Sequence, residues 1–557
     1  MPTIRNLVRL SFISSFGLAS LLIFVLISSS PVQERLLVHD EIHTLPQEFQ
    51  INGDADPQHI LTLTIELVSN NMTGLEKELY AVSDPKSERY GQHLNRSQVD
   101  SFVRPSAQAS TTLNKWLADQ GITTTSKSSA ENLIKIQVPV EKANVILNTT
   151  FQSVTHIPSN RSMVRAMTYS LPERLAHHTQ GIYPITNLPK PSVASPLVKR
   201  RAVNATFRRG VDAGCDQAIT PVCIQDLYNI PGDTPDQGAT GGIGIIAFDG
   251  ANIKGSDTAN IDTQVVLGIA PHNPVTIYAH PANSEGLTDL LDAVGFLSGQ
   301  SNIPQVIVLN YGTAIPFIIV ITNSSPPVFP ESTDGSDQGV QNAICNAIMQ
   351  MGTQGISVVV SSGNGGVIGI ATPFDPCFNS TSFLPTFPST CPYVTSVGAT
   401  LLSSGTEIGS PNSASGFSNI FSQAPYQADA VNGYLKQIGS LYNGRFNASG
   451  RGYPDIAAIS GHVWTVSDGD ENIVYTTLSS APTVAAIIAD LNTQRQSQGK
   501  SPLGFLNPLF YSNPHVLTDI TQGNNPGCGT DGFPAKKGWD AITGLGSPNY
   551  TTLQQIV

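Results

Sequence analysis

Tyr475-Thr476-Thr477-Leu478-Ser479-Ser480-Ala481-Pro482-Thr483, with Val484-Ala485-Ala486-Ile487-Ile488-Ala489-Asp490-Leu491 behind it, is the stretch around which the chain is organised. Pro482 near the front and the small apolar residues that follow predict the first turns of a buried helix. Such a start aims backbone N–H groups and the positive end of the helix dipole at the residues before it. That is a natural place for a nucleophile.

Upstream, β-runs and helical patterns alternate. Strands are predicted at Ile243–Phe248, Val306–Leu309 and Ile356–Ser361, and helices from about Ser256, over Leu287–Leu297 and over Gly339–Met351. Buried strands joined by helices of this length predict an α/β fold, a mostly parallel sheet covered on both faces. Gly242-x-Gly244-x-x-Ala247 mimics a dinucleotide fingerprint, but its glycines enter the strand instead of following it.

The first half, from about Val32 to Val198, reads as a small α+β unit. Ile60–Leu67 and Leu133–Val138 alternate like strands, and Leu75–Val82 and Glu141–Leu147 are helical. Asn95 with Gln98 forms a capping box. Leu113, Trp116 and Leu117 fall at i, i+3, i+4, and Gly121 stops that helix. A two-helix, split-βαβ sheet of the ferredoxin-like kind fits this order. A Pro/Ser-rich linker, Pro189 to Pro196, leads to Lys199-Arg200-Arg201, a processing site for a basic-specific protease, with Arg208-Arg209 as a second.

The chain has 557 residues and a net charge of −12, which argues against nucleic acid as a partner. Leu10–Ile27 is apolar behind Arg5 and Arg9 and is followed by Ser28-Ser29-Ser30, a signal-peptide pattern; an uncleaved anchor is the other reading. Nothing later is long and apolar enough to span a bilayer, so a secreted, extracellular protein is expected. Nine Asn-x-Ser/Thr sequons and an even set of six cysteines agree with export. Cys215 and Cys223 can close a small loop; Cys345, Cys377, Cys391 and Cys528 allow three pairings. No Cys-x-x-Cys or His-x-x-x-His spacing suggests zinc.

The Tyr475–Thr483 stretch resembles the Ser-Gly-Thr-Ser-x-Ser-x-Pro signature of the sedolisins, the serine-carboxyl peptidases that include the tripeptidyl-peptidases. Leu79-Tyr80-Ala81-Val82-Ser83-Asp84-Pro85 through Tyr90-Gly91-Gln92-His93-Leu94 resembles their activation prosegment, and Thr220 to Pro231 the start of their catalytic domain. Pro385 to Thr400 and Gly450-Arg451-Gly452-Tyr453-Pro454-Asp455 resemble core motifs that carry packing and turn geometry. The resemblance implies a subtilisin-like fold divided as 1–31 signal peptide, 32–198 activation prosegment, 199–219 linker and 220–557 peptidase-like domain.

It also implies where the chemistry would sit. The family's nucleophilic serine falls on Leu478, which cannot attack a carbonyl. Its Glu base and partner Asp stand four residues apart on one helix, which puts both on one face. Here Asp262 is retained and the base position is Thr258, a hydroxyl that cannot take the nucleophile's proton. Asp257 lies about 100° around that helix, and its own register partner is Ile261. The family's oxyanion Asp falls on Asn364, which still carries N–H donors. Asn310-Tyr311-Gly312-Thr313-Ala314-Ile315 lacks the acidic residues that relatives carry near the cleft.

Leu517 to Thr521 and Lys537 to Gly546 resemble the family's loops for one calcium ion. Asp519 and Asp540 would supply carboxylates, and Ile520, Lys536 and Gly538 backbone carbonyls, the hard oxygens calcium takes. The expected protein is therefore a secreted, calcium-stabilised pseudopeptidase whose cleft binds peptides or polypeptides, its own prosegment among them. An active acid peptidase with an altered constellation and a structural or decoy glycoprotein are the alternatives.

Overall fold

The computed structural model describes residues 34–557 apart from 158–159, 189–197, 202–214, 216, 233–240, 249–256, 281–286, 310–328, 331–337, 370–381 and 468. The leader run, Arg208-Arg209 and Asn310–Ile315 fall outside the described residues. Among those described, no helix is long and apolar enough to cross a membrane.

The N-terminal unit is built on strands β1 (Ile60–Leu67), β2 (Thr124–Lys127), β3 (Leu133–Pro139) and β4 (Thr179–Tyr183). They lie in the order β2-β3-β1-β4 with every neighbour antiparallel, the split-βαβ arrangement. Helices α1 (Met72–Ser83), α2 (Arg96–Val103) and α3 (Ala107–Asp119) connect β1 to β2, and α4 (Val140–Ile146) follows β3. The capping box forms as its residue types require: the Asn95 side chain accepts from Gln98 N–H at 3.0 Å, and Gln98 Oε1 accepts from Asn95 N–H at 2.8 Å.

Two hydrophobic stripes of this unit face different ways. Leu113, Trp116 and Leu117 of α3 join Leu63, Ile65, Ile134 and Ile136 in the unit's own core. Leu75 and Leu79 of α1 and Val99 and Val103 of α2 are instead covered by Met349 and Phe505 of the C-terminal domain. These helices therefore bury their apolar faces fully only when the two parts are docked. Lys135 and Asp292 add an ion pair across the contact at 2.6 Å, and the Tyr393 hydroxyl donates to Glu76 Oε1 at 3.0 Å.

After the Pro/Ser-rich run, β5 (Val198–Arg201) precedes α5 (Pro221–Tyr228), whose cap is Thr220. A seven-stranded sheet then forms from β6 (Ile243–Ala247), β7 (Val275–Ala279), β8 (Val306–Leu309), β9 (Ser357–Ser361), β10 (Thr395–Ser403), β11 (Thr406–Gly409) and β12 (Ile456–Ile459). The path runs β7-β6-β8-β9-β10-β11, with β12 also beside β10; every pairing is parallel except the β10–β11 hairpin.

Four helices of this domain supply its two core layers: α6 (Asp257–Ile269), α7 (Leu287–Ser298), α8 (Gln338–Thr353) and α9 (Ser480–Ser497). Alternation along the strands splits the core in two. Val306, Val308 and Val359 pack with α6 and α9, while Ile307, Leu309, Val358 and Val360 pack with α7 and α8. From Ser480 to Thr493 α9 is buried all round, which explains a run of small apolar residues where a surface helix would alternate.

Cys215–Cys223 and Cys345–Cys391 are bridged, and Cys528 is also disulfide-bonded, which selects one of the three open pairings. Arg451 and Asp455, both fully buried, form an ion pair at 2.6 Å. Asp455 also accepts from Ser396 N–H at 2.8 Å and the Tyr511 hydroxyl at 3.1 Å, the extra bonds a buried pair needs.

Candidate active site

Three segments meet at the C-terminal rim of the parallel strands, where ligands of open α/β sheets bind. The first is α6, the helix after β6. Asp262 on it is 1% exposed, and Thr258 lies one turn earlier on the same face at 9%. The second is the loop after β9, Ser362-Gly363-Asn364. The third is a hairpin of β13 (Gly461–Ser467) and β14 (Asp470–Thr476), which runs directly into Thr477 and Leu478.

Hydrogen bonds tie the three together. Asn260 and Gln264 of α6 donate to the Val466 carbonyl at 2.9 and 2.8 Å, and Val466 N–H returns to Gln264 Oε1 at 2.8 Å. Thr477 Oγ1 donates to the Gly363 carbonyl at 3.4 Å. The fold thus gathers Thr258, Asp262, Asn364 and Leu478 on connected elements.

Leu478 itself is 2% exposed and belongs to the same apolar cluster as Ile261, Val265 and Ala481. The neighbouring hydroxyls serve the backbone. Ser479 Oγ lies 3.0 Å from Ser460 Oγ and donates to the Ile459 carbonyl at 3.3 Å. Ser480 Oγ donates to the Thr477 carbonyl at 2.9 Å, and Thr483 Oγ1 to that of Ser479 at 2.7 Å. These contacts hold the entry to α9, which begins two residues ahead of Pro482.

The residues expected to hold calcium form one connected cluster. Asp540 is fully buried; it accepts from the N–H groups of Lys536 (2.9 Å), Ile542 (3.0 Å) and Thr543 (2.8 Å). Asp519 accepts from Gly538 N–H at 2.9 Å, and Thr543 Oγ1 bridges Asp540 Oδ1 (3.1 Å) and the Ile520 carbonyl (3.4 Å). Burial pushes the Asp540 carboxyl up to about 7, against the pull of those N–H groups. A buried carboxylate with no ion pair among the described residues suits a cation. No group of three or more His, Cys, Asp or Glu side chains gathers among the described residues, so a metal here would draw on carbonyls as well.

His93, in the prosegment-like motif, carries a role that the sequence alone does not reveal. The ring is wedged between Gly355 (φ +86°) and Gly504 (φ +69°), where added Cβ atoms would lie 2.5 and 2.7 Å from it. Its Nε2 is 2.8 Å from the Pro502 carbonyl. Two glycines far apart in sequence are the trace this pocket leaves there.

The doubly covered parallel sheet, the antiparallel unit docked on it and the rim described above define a subtilisin-like α/β protein preceded by an activation-type unit. The chain belongs to the sedolisin family and is a tripeptidyl-peptidase homologue. It is 31% identical to tripeptidyl-peptidase sed1 of Aspergillus fumigatus, over 95% of this chain and 97% of that one. It is 32% identical to tripeptidyl-peptidase SED2 of Arthroderma otae, over 93% and 96%. Residues 47–188 match the Pro-kumamolisin activation domain. A solved Pseudomonas sedolisin, a serine-carboxyl proteinase complexed with pseudo-iodotyrostatin, aligns at 20% identity and a TM-score of 0.47, covering 61% of this chain and 98% of that one.

Proposed function

We propose that this chain is a secreted pseudopeptidase of the sedolisin family: it keeps the fold and a calcium site, and it binds polypeptide without cleaving it. The observation that carries the reading is Leu478, a core side chain where the family signature would place the nucleophile. Thr258 stands where the base would stand, and Asn364 where the oxyanion Asp would, so proton acceptor and nucleophile are lost together. Ser479 and Ser480 do not stand in for it. Their hydroxyls are occupied by backbone carbonyls, a one-residue step moves Cα by about 3.8 Å, and reacting groups tolerate about 0.5 Å.

Asp262 then has no proton to manage and serves as a buried anchor of α6. The proposed domains are 1–31 leader, 32–198 prosegment, 199–219 linker and 220–557 peptidase-like domain. Asp519 and Asp540, with the carbonyls of Ile520, Lys536 and Gly538, would hold calcium, which supplies charge neutralisation to the C-terminal loops. The names of the relatives set the assay. Purified full-length chain, incubated with tripeptidyl reporter substrates in acid, is expected to show no turnover above buffer. Turnover that co-purifies with the folded chain would overturn the reading.

A further inference from the structure

The basic run Lys199-Arg200-Arg201 reads in the sequence as an open linker. In the fold, Val198–Arg201 is the strand β5, paired antiparallel with β14 in the register Val198↔Tyr475, Lys199↔Val474, Arg200↔Ile473, Arg201↔Asn472. The other edge of β14 pairs with β13 from Gly461↔Thr476 to Ser467↔Asp470. At the end of the linker, Ile219 closes the far edge of β13. Its N–H donates to the His462 carbonyl at 2.7 Å, and its carbonyl accepts from Trp464 N–H at 2.9 Å. The two ends of the linker thus clasp one hairpin from both sides. That hairpin is the element that leads into Leu478 and that α6 holds at Val466.

An extended segment is recognised by offering its backbone N–H and C=O groups to a partner's edge. A segment already committed to a sheet must leave it first. We infer that the β5–β14 pairing masks the Lys199-Arg200-Arg201 processing site, and that the β14 edge is a strand-addition site whose resident occupant is this segment. Release of β5 exposes both at once: a peptide bond that an external basic-specific endopeptidase hydrolyses with water, and a free edge for an extended polypeptide. The edge half rests on the polypeptide-binding reading above; the masking half stands apart from it.

The test is limited digestion of the native full chain with trypsin, with cut sites identified by mass spectrometry. Because cleavage follows the population of the open strand, cutting at 199–201 should be about tenfold or more slower than in a synthetic peptide of residues 194–206. Val198→Pro removes a strand N–H and leaves all three basic residues, so it should restore cutting to nearly the peptide rate. Amide exchange at Asn472–Tyr475 gives a second reading without any substitution: protected in the intact chain, faster once the linker is cut. Equal cutting of native chain and peptide would overturn the masking. Failure of a labelled 194–201 peptide to bind the cut chain would overturn the strand-addition edge. Turnover of reporter substrates, which would sink the pseudopeptidase reading, alters neither result.

Discussion

The Tyr183 hydroxyl donates a 2.9 Å hydrogen bond to Glu66 Oε2, and both side chains are buried. Tyr183 also lies against the start of α8, where a Cβ on Gly339 would be 3.0 Å from its hydroxyl. A carboxyl of the N-terminal unit is thereby sealed against the C-terminal domain. Burial pushes Glu66 up to about 7, and the Tyr183 bond pulls it back.

The folded value lies above the ordinary 4.5, so the native state holds this proton more tightly than the unfolded chain. The contribution to stability is full below 4.5 and is lost as pH rises through 7. Glu66→Gln, neutral throughout, should flatten thermal stability between those values and raise it at pH 8 by up to about 3 kcal/mol. Melting curves of both proteins across the range check this. Equal pH profiles would show that Glu66 is solvated.

His93 acts with the opposite sign. Burial lowers its pKa; the Pro502 carbonyl opposes this, and the Arg495 cation lowers it further. Nδ1 is buried without a hydrogen-bond partner among the described residues, and Arg495 stands 5.9 Å over the Tyr90 ring. Neutral imidazole is the favoured form, so the stability it gives is present above 6.5 and is lost as pH falls through the lowered value. Each unit of depression weakens the docked state about tenfold once His93 is protonated. Protection factors at 89–95 and 502–505, corrected for the intrinsic slowing of exchange in acid, should therefore fall from pH 7 to pH 4.5, and His93→Gln should remove most of that fall. An unchanged acid response in the variant would exclude His93 as its source.

Much of this architecture is written in local patterns. Asn95 and Gln98 make both capping-box bonds, Gly121 sits at φ +61° just past α3, and the strand runs fall within a residue or two of their expected ends. What escaped was set by distance in space. Cys345–Cys391 could not be ranked among three pairings, because spacing carries no information on which loops meet. Lys199-Arg200-Arg201 is short and charged, so its strand state comes from the free edge of β14 and not from its own propensity. Arg451 and Asp455 are four apart, but Tyr453 and Pro454 intervene in extended and turn backbone, so no helical spacing flagged the ion pair.

Calcium should stabilise the folded chain without touching any peptide. Asp540 offers a buried carboxylate, and a ligand that binds only the native state adds about 2.7 kcal/mol at a hundred times its Kd. Millimolar calcium is expected to raise Tm at neutral pH, and a chelator to lower it. Asp540→Asn should lose the response entirely, and Asp519→Asn most of it. A full calcium response in Asp540→Asn would place the ion elsewhere.

Repair of the rim separates a lost nucleophile from a lost cleft. Leu478→Ser alone removes a core side chain at a cost of about 2–5 kcal/mol, and it leaves no base to take the hydroxyl proton, so no cleavage is expected. Thr258→Glu restores a carboxylate one turn from Asp262 in a buried setting. Two such groups cannot both ionise easily, so one holds a proton into mild acid, and the pair would work at low pH. Asn364→Asp completes the set with a protonated donor for the oxyanion. The folded triple variant should cleave tripeptidyl reporters in acid and lose that activity toward neutrality, with calcium present to offset the core penalty. Its unfolding curve must be cooperative for the result to count. A triple variant that melts cooperatively and still shows no turnover would mean that the substrate-binding walls have also diverged, so that recognition and not chemistry alone was lost.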